Sequence, residues 1–224
     1  MKLRYHILAV SLSLSGESIK PHELTPVQAV EQYIQHDKEI DLLFFAPDEG
    51  RIYKNILLGL IEQEKKSIKA ALFRLTDKKV MQALIDAHTR GISVEVVFDS
   101  GAVTTAYYSL ALQLRDAGIR VYQYQAIDLF SRRRAKKTRK VEKEKAKYQT
   151  LMHQKTFIFE DTLGRKIVAF GSLNPTTAGF HGNEEAIQIR SKTEIVEGFE
   201  RQFERVKKRS NLLEPDWSKM RKRG

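Results

Sequence analysis

Short apolar runs that alternate with segments of helical spacing constrain the fold of this chain more than any other feature of its sequence. Ile92 to Phe98 is the clearest run, apolar at nearly every position as a strand covered on both faces would be, with Asp99 at its C-terminal end. Ile40 to Ala46, Ser67 to Leu75 and Ile119 to Tyr124 read as further strands. Between them Ile52, Ile56, Leu57, Leu60 and Ile61 recur at helical spacing, and a helix capped by Asp77 carries Val80, Met81, Leu84 and Ile85 before Gly91. Another helix around Tyr107 to Arg115 stops at Gly118. This order predicts an α/β fold with a mixed, largely parallel central sheet flanked by helices on both faces.

The remainder is organised around that frame. Thr25-Pro26 has the character of a cap and first turn for a helix through about Gln35. In the second half, strands at Lys155 to Glu160 and Lys166 to Phe170 flank a turn at Asp161 to Gly164, and Glu185 to Ile189 alternates as another strand. A last helix places Ile195, Val196, Phe199, Phe203 and Val206 on one face. The expected organisation is a single domain over residues 25–210, preceded by a leader and spacer at 1–24 and followed by a basic tail at 211–224 that holds Trp217. Lys2 and Arg4 before the apolar run Ile7 to Leu14, with small residues after it, have the form of a short signal peptide, so a periplasmic or secreted location is expected. The alternative is a buried first strand in a cytoplasmic protein.

Composition narrows the partners. The 224 residues include 39 Lys and Arg against 28 Asp and Glu, a net charge of +11 that favours polyanions such as nucleic acid or anionic lipid. Much of this charge is concentrated in an insert at 131–148, where Arg132, Arg133, Arg134, Lys136, Lys137, Arg139 and Lys140 begin a stretch of net +8 with almost no apolar content. Those residues are the candidate nucleic-acid contacts, the alternative being a solvated charge run with no fixed partner. The absence of cysteine excludes disulfides and thiolate metal sites. No stretch approaches the roughly 18 apolar residues that a membrane-spanning helix needs.

The residues able to do chemistry lie after the insert. His153 and Lys155 stand two apart, so in extended chain both point to one face. An imidazole can attack phosphorus or protonate a leaving oxygen near neutral pH, and an ammonium can hold phosphate oxygens. Gly171-Ser172-Leu173-Asn174 follows the next strand, where the glycine permits close backbone approach and Ser172 and Asn174 provide short neutral donors. Glu185, preceded by Asn183, opens another strand, and a carboxylate there can accept from an imidazole N–H.

The ordered set Met152-His153-x-Lys155, Gly171-Ser172-x-Asn174 and Asn183-x-Glu185 resembles the HKD motif of the phospholipase D superfamily. Upstream, Phe45-Ala46-Pro47, the strand and helix that start at Ile68 and Thr76, and Arg90-Gly91-Ile92-Ser93-Val94 are similar to the single-domain nucleases of that superfamily. The resemblance covers about residues 40–205. It implies a phospholipase D-like fold and a phosphodiesterase that needs neither metal nor cofactor. His153 would be the nucleophile, Lys155 and Asn174 would bind the phosphate, Ser172 would support the site, and Glu185 would orient His153. With one copy of the motif per chain, it implies a homodimer in which His153 of each subunit serves one shared site. The superfamily usually has Asp five positions beyond the Lys, where this chain has Glu160 with Asp161 next. Either Glu160 substitutes as a supporting acid or a bulge shifts the register.

A nuclease acting on DNA or RNA is the leading expectation. A phospholipase D or cardiolipin hydrolase acting on anionic phospholipid is the first alternative, and an inactive nucleic-acid-binding homologue the second. Pro47-Asp48 followed by Glu64-Lys65-Lys66 superficially resembles a magnesium-dependent nuclease signature. Because Glu64 falls at a helix end, a solvated helix terminus is expected there instead. His181, between Gly179 and Gly182, reads as a loop histidine that can touch substrate, and Tyr107 and Tyr108 as cleft-lining or packing residues.

Overall fold

The computed structural model describes residues 11–12, 18–19, 23–35, 38–104, 110–126 and 150–214. The basic insert with Arg132, Arg133, Arg134, Lys136, Lys137, Arg139 and Lys140, the pair Tyr107 and Tyr108, Trp217 and most of residues 1–24 lie outside these residues. Two short strands, β1 (Ser11–Leu12) and β2 (Ser18–Ile19), pair antiparallel. The helix foreseen from Thr25 begins with a reciprocal cap. Gln28 N–H donates to Thr25 Oγ1, Thr25 N–H donates to Gln28 Oε1, and α1 (Pro26–Val30) continues as a wider π turn over Glu31–Gln35.

Eight strands form one sheet in the order β10 (Ser210–Leu212), β6 (Arg120–Tyr124), β5 (Ser93–Phe98), β4 (Ser67–Leu72), β7 (Lys155–Thr162), β8 (Arg165–Gly171), β9 (Glu185–Arg190) and β3 (Asp41–Ala46). The sheet is mixed as expected but not largely parallel: β4–β5 and β5–β6 are its parallel pairs, and the other five neighbouring pairs are antiparallel. This follows from the connections. A helix, α3 (Lys78–Thr89), crosses from β4 to β5, and α4 (Ser100–Thr104) and α5 (Ala111–Asp116) lie between β5 and β6. The strands β7 and β8 are joined by a tight turn, which only antiparallel neighbours allow. Ser210–Leu212 pairs antiparallel with β6 as an edge strand.

Alternation along the central strands divides the core into two layers. Ile68, Ala70 and Leu72 of β4 and Phe157 and Phe159 of β7 pack against Ile56, Leu57 and Leu60 of α2 (Gly50–Gln63) and Val80 and Leu84 of α3. Ala71, Val97, Ile158 and Val168 face the opposite way, onto Val196, Phe203 and Val206 of α7 (Thr193–Lys207). Coverage on both faces explains why β5 is apolar almost throughout. Its one charged residue, Glu95, is 5% exposed and pairs with Lys207 at 2.8 Å and Arg120 at 3.2 Å, tying the end of α7 to the sheet. Gly91 ends the turn after α3 with φ of +90°, a conformation that costs other residues about 1–2 kcal/mol.

Glu64 corrects the sequence expectation. It is not solvated but 3% exposed, and its carboxylate accepts from the N–H groups of Lys66, Ser67 and Asp161 and from Thr162 Oγ1. The register of β7 against β8 shifts between Phe159 and Thr162, and Glu64 fills that bulge. Glu64→Ala would leave several buried donors without an acceptor, so a loss of about 3 kcal/mol is expected. Urea unfolding measures it: the midpoint should fall with the slope unchanged, and a loss below about 1 kcal/mol would show that the bulge holds without this carboxylate.

Candidate active site

The C-terminal ends of β4, β8 and β3 and the N-terminal ends of β7 and β9 share one edge of the sheet, as the pairings Leu72 with Lys155, Gly171 with Ile187 and Ala46 with Glu185 require. His153, Lys155, Ser172, Asn174 and Glu185 are brought to this edge by three strand ends and one loop.

Lys155 is 5% exposed although it carries an ammonium. Its Nζ donates to the His153 carbonyl at 2.9 Å and lies 5.0 Å from the centre of the Phe73 ring. Burial lowers its pKa, and the Glu185 carboxylate opposes that shift. His153 is exposed, and its ring packs against Phe73 with centroids 4.6 Å apart. The sequence-based expectation of a bond from His153 to Glu185 is not met within this chain. Glu185 Oε1 instead accepts from Asn183 Nδ2 at 3.2 Å, and Phe73 sets the face on which the imidazole lies.

The loop after β8 is built against β9. A Cβ on Gly171 would stand 2.2 Å from the Ala186 carbonyl oxygen, so only glycine fits that crossing. Ser172 locks the loop by exchanging two bonds with Ala186: its N–H donates to the carbonyl at 3.0 Å, and its Oγ accepts from the Ala186 N–H at 3.1 Å. Asn174 Oδ1 is buried and has no hydrogen-bond partner. The amide NH₂ of Asn174 is the group able to donate to an oxyanion, while Oδ1 is an acceptor still open to a donor. Beyond it, α6 (Thr177–His181) is capped by Thr176 and packs Gly179 against the Asn174 carbonyl. The loop is also tied to α3, because Thr76 and Asp77 N–H groups both donate to the Pro175 carbonyl and Asp77 pairs with Lys54.

Glu160 does not join this group. It lies five residues along β7 from Lys155, roughly 16 Å away at strand rise, and pairs with Lys166 at 3.1 Å. It lines a charged cleft at the other edge of the sheet together with Lys69, Glu200 and Glu204, so its role there is to help dock α7. Asp161, displaced by the bulge, pairs with Lys66 on the same side. Neither acid supports the motif residues.

Asp99, which in the sequence stands out only by its place at the end of an apolar strand, is a buried carboxylate next to the motif. Its side chain is 1% exposed at the end of β5, where Oδ2 accepts from the Met152 N–H at 2.8 Å and Oδ1 from the Gly101 N–H at 2.9 Å. It therefore pins the residue directly before His153. The available signal was its place at the carboxyl end of a strand in an α/β sheet, where ligands and reacting groups gather. Among the described residues no group of three or more His, Cys, Asp or Glu is gathered as a metal site requires, and no helix is long and apolar enough to cross a membrane.

Comparison with known proteins gives a consistent picture. A domain model described as "Cardiolipin synthase, PLD-like domain" matches residues 57–207. The chain is similar to a Xenopus laevis protein named mitochondrial cardiolipin hydrolase, at 24% identity over 181 residues, covering 81% of this chain and 72% of that one. Of the mouse protein of the same name, 27% identical over 150 residues and 67% of this chain, only 56% of the length is spanned. Among solved structures, NucT from Helicobacter pylori superposes with a TM-score of 0.66 at 21% identity, covering 79% of this chain and all of NucT. Nuc from Salmonella typhimurium, described as a phospholipase D family member, gives 0.61 at 20% identity, covering 79% of this chain and 99% of Nuc.

Proposed function

The chain belongs to the phospholipase D-like family, and from that membership we propose that it is a metal-independent endonuclease that cleaves nucleic-acid phosphodiester bonds through a phosphohistidine. The observation that carries this is the convergence of His153, Lys155, Asn174 and Glu185 on one sheet edge, with Lys155 buried there. An imidazole nitrogen of His153 attacks phosphorus in line with the leaving oxygen. Lys155 and the Asn174 amide hold the non-bridging oxygens, and Glu185 favours the charged form of Lys155. The P–O bond breaks as a P–N bond forms, and the alkoxide takes a proton from His153 of the partner subunit. That imidazole, now a base, removes a proton from water, whose oxygen displaces His153 and restores the enzyme.

The dimer belongs to the proposal because one chain contains one copy of the motif and the reaction needs a nucleophile and a separate acid. Nucleic acid is favoured as substrate by the net charge of +11 and by the basic insert that directly precedes the motif strand. The cardiolipin hydrolase relatives favour a second reading, in which the same site cleaves an anionic phospholipid. One panel decides: purified protein in EDTA against single- and double-stranded DNA, RNA and cardiolipin vesicles. Cleavage of nucleic acid alone is expected. Release of phosphatidic acid alone would establish the lipid reading, and loss of all turnover in EDTA would refute the metal-free mechanism.

A further inference from the structure

A cluster of basic side chains at the catalytic edge has no part in the chemistry above. The first turn of α2 and the last of α6 meet so closely that a Cβ on Gly50 would stand 2.0 Å from the Phe180 carbonyl oxygen. Arg51 and His181, the residues that follow each, therefore flank one contact, and both are exposed. Lys54, one turn along α2, holds its ammonium 5.1 Å from the Phe180 ring centre and pairs with Asp77. The pKa of His181 is lowered, first by partial burial and then by the charges of Lys54 and Arg51, with Asp77 opposing. Asp77 is already engaged by Lys54 and by the cap of α3. Cationic side chains that repel one another in this way are relieved by an anion.

The position of the cluster relates it to the reacting centre. It hangs from the Asn174 loop through α6, and His181 precedes by two residues Asn183, which holds Glu185. From β7 to β9 is two strand spacings, about 10 Å, a span that a nucleic-acid strand covers in a few nucleotides. We infer that Arg51, Lys54 and His181 form a second phosphate subsite, which holds a neighbouring phosphodiester of a nucleic-acid strand while the scissile one lies between His153 and Lys155. The inference rests on the nuclease reading. It deepens that reading by assigning the register of the strand to residues outside the motif.

Binding in the His153→Ala background, which cannot turn over, tests it with a short thymidine oligonucleotide as probe. Adding Arg51→Ala should flatten the slope of log affinity against log salt by about 0.7, one phosphate contact on a single strand. Adding both Arg51→Ala and His181→Ala should weaken binding about 10-fold at low salt. Both side chains are exposed, so the variants are expected to fold, and circular dichroism checks this. An unchanged slope and affinity would overturn the subsite. So would a loss confined to cardiolipin vesicles with the oligonucleotide unaffected, since the second phosphate would then be a lipid's. Hydrolysis of bis(p-nitrophenyl) phosphate by the native protein, which offers one phosphodiester, is measured alongside. Failure of that hydrolysis would count against the nuclease reading and leave the binding result to judge the subsite separately.

Discussion

Replacing His153 with Ala is expected to lower turnover roughly 10⁴-fold or more, because under the proposed mechanism the substitution removes both the atom that would bond phosphorus and, across the proposed dimer, the acid that would protonate the leaving oxygen. The neighbouring groups cannot compensate. Lys155 is buried and donates to a backbone carbonyl, Phe73 is inert, and His181 is carried on α6 beyond the Asn174 loop. The proposed sharing of the site between two subunits makes a sharper expectation available. If equal amounts of native and His153→Ala protein are mixed and allowed to exchange subunits, activity per total protein should fall to about one quarter of the all-native value, the statistical share of native dimers. Independent sites would leave about one half. A value near one half after verified exchange would remove the second histidine from the mechanism.

The next largest effect is expected from Asp99→Asn, a change of nearly equal shape. Both carboxylate oxygens accept from backbone N–H groups, and an amide can satisfy one of them while turning its own N–H₂ against the other. The Met152 clamp then loosens and the imidazole loses its fixed line of approach. Displacement of a reacting group by about 1 Å costs on the order of 100-fold, so kcat should fall by about that factor while KM stays within about twofold. Asp99 does not touch substrate in this account and acts by positioning His153. Val97→Ala is the control, since Val97 is fully buried on the same strand but its side chain enters the layer under α7. It should cost about 2 kcal/mol of stability and leave kcat near native. If both variants lose kcat in proportion to lost stability, Asp99 is merely structural.

The central strands were legible because each is a largely apolar run, and the motif residues because His153, Lys155, Asn174 and Glu185 keep their order along the chain. The antiparallel pairings, five of the seven in the sheet, were less so. A strand announces its burial through side-chain pattern, but its direction is set by connection length and by which neighbour it reaches. Glu64 was misread for a related reason: a carboxylate at a helix end looks solvated until the bulge at Phe159 to Thr162 is seen to bring donors onto it. Glu160 kept the sequence spacing of a motif acid, yet five residues of extended chain carry it out of reach. Phe73 gave no signal at all, being one aromatic after an apolar strand. The grouping of Arg51 with His181 depends on a backbone contact between elements far apart in sequence.

The Met152 clamp also bears on how this scaffold can evolve. Asp99 fixes the return of the chain from behind, so the 23 residues from 127 to 149 are bounded by Ala126 next to β6 and by an anchored Met152. Lengthening a chain between two held points adds only about 0.6 kcal/mol per doubling, and an anchor at Met152 keeps the register of the motif strand independent of what precedes it. Selection can therefore rewrite that segment, in length or in charge, without retuning the reacting ring. The same junction is where a targeting module could be grafted onto the enzyme by design.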